Sequence, residues 1–575
     1  MAEKPARWRR RILIAVVLLA AVGLVGRYWF GRRGVAQGSW VLLDLEGDYS
    51  EGESDNLARL FGERPLSMLD LLMVIRDAGE DPRVAGLVVR VRPLAIGWAK
   101  AQEIREALRV FRQHGKPLHA YLELELGSST MEYYIASAAE HIHVPPGAAA
   151  PVTGLLAQFM FLGGLWEKLD IDMQVLKIRE YKTFGDMLAN KEMSPYQREM
   201  ANSLLDSMYG QVVDGISAER GLAPEAVRAA IDAGPATPDE LRTAGLVDDA
   251  EYLDELRTTL VGASGKFLSG DDYEDRRQPL PAQAPIHHRL AVIYGVGPVT
   301  TGESHTSPLD GESSMGSDTL AEAFEDAARD DRIEAIVFRV DSPGGSALAS
   351  DLIWRATRAA GDTKPLIVSM SDVAASGGYY VSAGGRRIVA EPGTITGSIG
   401  VVLAKPNVKG LLARLGINTA ELQRGELAAM MSLTESFDPA ELQRVNATMD
   451  YVYDLFLQRV ATGRTLDKEQ VNAVGRGRVW TGAQASEHGL VDELGGFFAA
   501  INAAKVAVGI PADEKVELVF YPNRRNLLER VEELLGTRLV GSPPLWWQQL
   551  RRATTGWRFP SGSILTLMPQ EVSIR

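Results

Sequence analysis

The sequence predicts an α/β protein in which one structural unit is used twice, behind an N-terminal transmembrane helix. Three observations predict it. Short β-branched apolar runs follow helical stretches, a set of landmarks returns at a spacing near 246 residues, and an uncharged apolar run lies close to the first residue.

The apolar run comes first in the chain. Ile12 to Gly26 carries no charge, and Tyr28, Trp29 and Phe30 follow Arg27. Together they form a helix of ~19 residues, near the length that spans a bilayer. Arg27 can snorkel, and the aromatic side chains suit the interface. Five positive residues precede the run and three follow it, which favours a cytoplasmic N-terminus and an exported body. A cleavable signal peptide is the alternative, but no clean A-x-A site precedes the basic Gly31-Arg32-Arg33-Gly34 stretch. Residues 1–33 are therefore expected to be a basic segment and a membrane anchor.

The repeat rests on text in conserved order. Val84 to Val91 (VAGLVVRV) resembles Ile333 to Val340 (IEAIVFRV), and each reads as a buried strand. Tyr133 to Gly147 aligns without gaps on Tyr379 to Gly393, and Leu165 to Asp172 on Leu411 to Asn418. Strands alternating with helical patterns define an α/β unit. The expected organisation is a first repeat over 34–270, a polar, Pro-rich linker over 271–289, a second repeat over 290–510, and a tail over 511–575. The tail holds a helical stretch from Asn526 to Leu535 and the pair Trp546-Trp547.

Composition narrows the function. The formal net charge is −14, yet residues 1–33 carry eight basic side chains against Glu3 alone, so the body is more acidic still. An acidic body argues against nucleic acid as a partner. The absence of cysteine removes disulfides, thiolate metal sites and Cys nucleophiles. No cluster has metal-ligand spacing. His141-x-His143 is the nearest, and it sits in a strand-like run as a core or edge residue pair.

Three motifs carry chemistry. Asp341-Ser342-Pro343-Gly344-Gly345-Ser346 follows a strand, and its Gly pair lets the backbone turn and present N–H groups to an oxyanion. Asp372-Val373-Ala374-Ala375-Ser376-Gly377-Gly378-Tyr379 sets one hydroxyl between small residues. Thr396-Gly397-Ser398-Ile399-Gly400 offers another hydroxyl near a turn. Alone, SPGG reads more readily as an ordinary turn, the Ser376 motif fits a structural strand-to-helix turn as well as a nucleophile, TGSIG is a weak signal, and Lys182 reads as a surface lysine.

Taken in order, SPGG, AASGGYY and TGSIG resemble the signal peptide peptidase A family, in its long form with two repeats per chain. The resemblance covers roughly residues 40 to 510. It implies the fold shared by Clp protease subunits and crotonases, twice. It also implies a Ser/Lys dyad with no cofactor and no metal. Ser376 is then the nucleophile and Lys182, in Arg179-Glu180-Tyr181-Lys182, the general base. Ser398 is the group that holds the lysine. The N–H groups of Gly345 and Gly377 are the oxyanion donors, with Gly344 beside them. Phe184-Gly185-Asp186 departs from the family's usual text after the lysine. The implied substrates are residual signal peptides, the implied assembly is a homotetramer, and the implied location is the inner membrane with the body on the periplasmic side.

The repeat adds a reason for the pairing. In the first unit Thr130 stands where Ser376 would be, Met131 replaces Gly377, Ala95-Ile96 replaces the Gly pair, and Leu155 replaces Ser398. In the second unit Ala428 falls at the place of Lys182. Each unit keeps one half of a site, so the two units are expected to bring Ser376 and Lys182 together. A lysine acts as a base only when neutral, which burial can enforce. The rival readings are an α/β-hydrolase esterase using His488, a crotonase-type acyl-CoA enzyme, and a non-enzymatic membrane scaffold.

Overall fold

The computed structural model describes residues 34–52, 66–125, 127, 129–277, 287–306, 313–522 and 565–567. The basic segment and anchor read over 1–33, the helical stretch 526–535 and Trp546-Trp547 lie outside these residues. Among the described residues no helix is long and apolar enough to cross a membrane.

The chain is a mixed α/β protein with three sheets. The first sheet places Asp249–Ala250, His141–Val144, Leu118–Leu122, Val84–Leu94, Ser39–Gly47 and Leu268–Ser269 side by side, all parallel. The second runs Val479–Thr481, Ile395–Gly397, Leu366–Ala375, Ala335–Ser342, His288–Val296 and Val516–Tyr521. Arg387–Ala390 also pairs with Leu366–Ala375, and Glu493–Leu494 pairs with it in turn. The predicted strands at Val84 and at Ala335 are central in their sheets, buried on both faces, as their continuous apolar text requires.

Two findings move the boundaries read from the sequence. Gly270–Arg276 is a helix capped by Ser269, with Tyr273 buried, and Arg277 donates to the Met73 carbonyl at 3.3 Å. Residues 271–277 thus pack on the first unit rather than bridging in solvent. Val516–Tyr521 is an edge strand parallel to His288–Val296, so the second sheet extends beyond residue 510. Its Val516-Glu517-Leu518-Val519-Phe520 text is too short to be told from tail by sequence alone.

The third, smaller sheet joins the two halves. Its order is Met315–Gly316, Val299–Thr300, Gly344–Ser346, Leu565–Leu567, Val402–Asn407 and Asp172–Lys177. Asp172–Lys177, from the first half, pairs antiparallel with Val402–Asn407 over six residues. Leu176 and Ile178 pack against the second core, and Ala375, Ile395 and Val479 belong to the first. Each half therefore buries apolar surface of the other.

Buried charge seals the same interface. Arg339 binds Glu51 at 2.7 Å and Glu103 at 2.8 Å, with all three side chains excluded from water. Asp372 caps the helix Trp98–Gln113 from across the interface. Its Oδ2 accepts from the Gly97 N–H and its Oδ1 from the Lys100 N–H, each at 2.9 Å. Gly97 has no side chain to cap with, and Asp372 supplies the missing acceptor. Asp372 is also four residues before Ser376 on the same strand, so the cap fixes the strand that delivers the hydroxyl.

Candidate active site

Ser376 stands where the strand Leu366–Ala375 turns into the short helix Gly377–Ser382. Its φ is 55° and ψ −113°, a backbone conformation that costs a side-chain-bearing residue energy. The surroundings hold it there. The Ser376 N–H donates to Gly397 O at 2.8 Å, and Tyr380 N–H donates to Ser376 O at 2.8 Å. A Cβ on Gly378 would press on the Ser342 carbonyl, so only glycine lets the helix approach the SPGG turn. Tyr379 and Tyr380 anchor the helix through hydroxyl bonds of 2.9 Å to Leu490 O and to Asp351. The serine is fully buried.

Lys182 reaches this point from the first half. The strand Asp172–Lys177 leads into a loop whose Tyr181 N–H donates to Arg476 O at 3.1 Å. A Cβ on Gly477 would collide with the Lys182 backbone, and one on Gly400 would meet Lys182 Cδ at 3.2 Å. These two glycines open the slot that the lysine fills. Its Nζ lies 2.7 Å from Ser376 Oγ, 2.9 Å from Ser398 O and 3.0 Å from Ser398 Oγ. Only 1% of the residue is exposed.

Burial sets the protonation state. Removal from water pushes the Lys182 ammonium well below its ordinary range, and no carboxylate opposes that shift. The neutral amine has two N–H donors and one lone pair. Ser398 supplies two acceptors, through its carbonyl and its hydroxyl, and Ser376 Oγ is the third partner, to whose O–H a neutral Nζ offers its lone pair. Three oxygen atoms thus surround Nζ, and the neutral form that the lowered pKa favours can use all three.

Ser398 is itself held in a left-handed conformation, φ 53°, with its N–H donating to Arg478 O at 2.7 Å. Of the glycines read as oxyanion donors, Gly344 has φ 103°, and its N–H donates to Ser342 Oγ at 3.2 Å. Gly345 packs so close to Val299 that a Cβ would overlap its backbone. Gly377 is the first residue of its helix, where backbone N–H groups lack an intrahelical partner. The strand Gly344–Ser346 also forms an antiparallel ladder with Leu565–Leu567, and Leu565 pairs with Val402 on the other side. A short segment from near the end of the chain thus lies as a strand between the two walls of the site.

The matching position of the first half is spent on structure. Thr130 Oγ1 donates to Gly154 O at 3.1 Å and accepts from the Thr153 and Gly154 N–H groups. His488 packs its ring on Trp480, 4.3 Å between centroids, and forms no hydrogen bond to the Ser376 group among the described residues.

The model of peptidase family S49 matches residues 110–264 and 358–511, together more than half of the chain. The chain belongs to peptidase family S49. It is a serine protease. The chloroplastic serine protease SPPA of Arabidopsis thaliana is 34% identical over 516 residues, 88% of this chain and 75% of the relative. Protease 4 of Haemophilus influenzae is 30% identical, covering 83% of this chain and 80% of the relative. Protease 4 of Salmonella typhi is 31% identical over 494 residues, 81% and 78%.

Within this S49 peptidase, several site residues escape a reading of motifs. Gly400 and Gly477 shape the lysine slot, and Asp372 fixes the serine strand from the far side. The text after the lysine that departs from the family has a local role. Phe184–Ala189 is a helix, and its buried Asp186 binds Lys177 Nζ at 2.5 Å and Ser194 Oγ at 2.8 Å. Ser194 in turn caps the long helix Pro195–Arg220. Asp372 stood within a singled-out motif, but the helix start it caps lies 275 positions earlier, so no local text links the two.

Proposed function

We propose that this S49 peptidase is a membrane-anchored endopeptidase in which Ser376 is the nucleophile and Lys182 the general base, and that it degrades signal peptides left in the membrane after secretion. The single observation that carries the chemistry is the 2.7 Å contact between a buried, uncompensated Lys182 Nζ and Ser376 Oγ. Ser376 Oγ attacks the scissile carbonyl carbon while its proton passes to Nζ. The tetrahedral intermediate collapses, the C–N bond breaks, and Lys182 returns the proton to the leaving amine. Water then attacks the acyl-enzyme with Lys182 again as base. Gly345 and Gly377 donate backbone N–H groups to the oxyanion, with Gly344 supporting the turn.

Peptide substrate enters as an added strand between Gly344–Ser346 and Val402. Support comes from Leu565–Leu567, which already pairs there with backbone bonds that any extended peptide can reproduce. The two large sheets share the order and direction of six strands, which supports reading them as tandem Clp protease/crotonase-like units, a first repeat that carries the lysine and a second that carries the serine. The apolar N-terminal run and its flanking charges support a single-pass anchor in the cytoplasmic membrane with the body on the periplasmic side, and the resemblance to the long two-repeat family is what supports assembly as a homotetramer.

The test is a serine-directed phosphonate applied to the full chain in lipid, with a synthetic signal peptide as substrate. Labelling at Ser376, lost in Lys182→Ala, together with cleavage of the signal peptide, is the expected result. Normal turnover by a folded Lys182→Ala variant would sink the dyad. Cleavage of casein but not of signal peptides would sink the substrate assignment alone.

A further inference from the structure

Three histidines line one face of the first sheet: His119 on Leu118–Leu122, and His141 and His143 on His141–Val144. The strand register sets His119 beside His141, and His143 beside Asp249 of the next strand. Glu251 stands two residues after Asp249, its N–H bonded to Val144 O at 3.0 Å. The His119 and His143 rings stack at 5.2 Å, with His119 Nδ1 2.9 Å from His143 Nε2. None of these side chains bonds to Ser376, Lys182 or Ser398.

His143 is the informative residue. It is 4% exposed, and its Nε2 is engaged by His119. Its Nδ1 lies 2.9 Å from Glu251 Oε1, yet it has no hydrogen-bond partner. The two atoms are close without pointing at each other. Two ligands of one metal ion show that relation. With each about 2.0–2.2 Å from the ion, they sit about 3 Å apart and aim at the metal. One ligand atom each from His143, Asp249 and Glu251 lies within 4.8 Å of the others.

We propose that His143, Asp249 and Glu251 form a binding site for a divalent transition metal of the Zn2+ type, separate from the Ser376–Lys182 centre. One imidazole with two carboxylates suits Zn2+ better than the all-oxygen sets preferred by Mg2+ and Ca2+. His119 is a positioning residue. By taking the Nε2 side of His143 it leaves Nδ1 for the ion, as the outer partner of a ligating histidine does. Asp249 is exposed and gives the ion a path from solvent, with room for water to complete the coordination. The strand reading of His141-x-His143 stands, but the other ligands come from residues more than a hundred positions away, so local spacing cannot show the site.

The test counts metal on the intact protein. The full chain is stripped with a chelator and dialysed against zinc chloride, and bound zinc is measured by plasma mass spectrometry. About one Zn2+ per chain is expected, with Glu251→Gln and Asp249→Asn each weakening binding at least about tenfold. Both residues are at least partly exposed, and unchanged peptidase activity in the two variants reports that they fold. No stoichiometric uptake, or uptake indifferent to both substitutions, would overturn the site.

Discussion

Lys182 Nζ and Ser376 Oγ lie 2.7 Å apart although the two residues are 194 positions apart in the chain. The contact depends on a strand from the first half pairing with one from the second, Asp172–Lys177 on Val402–Asn407. It is therefore as much a property of the interface as of either motif.

The pH dependence of activity follows from that burial. Only neutral Lys182 can take the serine proton, and desolvation pushes its pKa well below the ordinary range. Activity is expected to rise with pH through the lowered Lys182 pKa, not near the usual value of about 10.4. The profile of kcat/KM for a peptide substrate checks this. A rising limb centred above pH 10 would contradict a buried neutral base.

The same burial predicts a stability gain on removing the amine. Between the lowered pKa of the folded chain and the ordinary value of about 10.4, the unfolded chain protonates Lys182 and the folded chain does not, so folding there must release that proton. The resulting penalty is full below the folded pKa and vanishes as pH rises past about 10.4. Lys182→Met, close in volume, is expected to lose activity by a factor on the order of 10^4. It should also raise the thermal midpoint at pH 7, with a gain that shrinks toward pH 10. An equal or lower midpoint at pH 7 would mean that the lysine is charged in the fold.

How much of this was legible in the sequence depends on distance along the chain. Strands such as Ala335–Ser342 announce themselves in continuous apolar text, and the SPGG, SGGY and TGS turns carry their glycines locally. The sequence reading of two repeats, one with the serine and the other with the lysine, pointed to a meeting of the two. What was not legible is pairing without a local signature. Asp372 capping a helix more than 270 residues earlier, Gly477 making room for Lys182, and Leu565–Leu567 lying in the cleft all depend on how the halves dock. Val516–Tyr521 was missed because an edge strand of six residues reads like tail until its partner is known.

Ser398 contacts Lys182 Nζ through both its carbonyl and its hydroxyl, so it is expected to act on the reaction by orienting the proposed base. Ser398→Ala removes one of its two contacts to Nζ and keeps the carbonyl. The loss of about 0.5–1.5 kcal/mol expected for one net hydrogen bond corresponds to a two- to tenfold fall in kcat with KM unchanged. Steady-state kinetics separate the two parameters. A rise in KM alone would show that Ser398 binds substrate instead.

Asp372 is expected to matter for stability more than its position beside the motif suggests. Asp372→Ala leaves the Gly97 and Lys100 N–H groups without an acceptor at a buried helix start, at a cost of about 1–3 kcal/mol. Asp372→Asn retains one acceptor oxygen and should recover part of the loss. Urea unfolding of both variants measures it, and an unchanged midpoint for the alanine variant would show that the cap adds nothing.

Leu565–Leu567 occupies the place proposed for the substrate strand, and on that proposal the chain competes with its own substrate. Proline at position 566, opposite Gly345, has no N–H and its ring disfavours a strand with partners on both sides. Thr566→Pro is therefore expected to free the cleft and lower KM for peptide substrates about two- to tenfold, the worth of one net hydrogen bond. The substitution lies far from Ser376 in sequence and leaves the Lys182 contacts intact, so kcat should hold. If KM does not fall, the segment either leaves the cleft readily or does not overlap the path of the peptide.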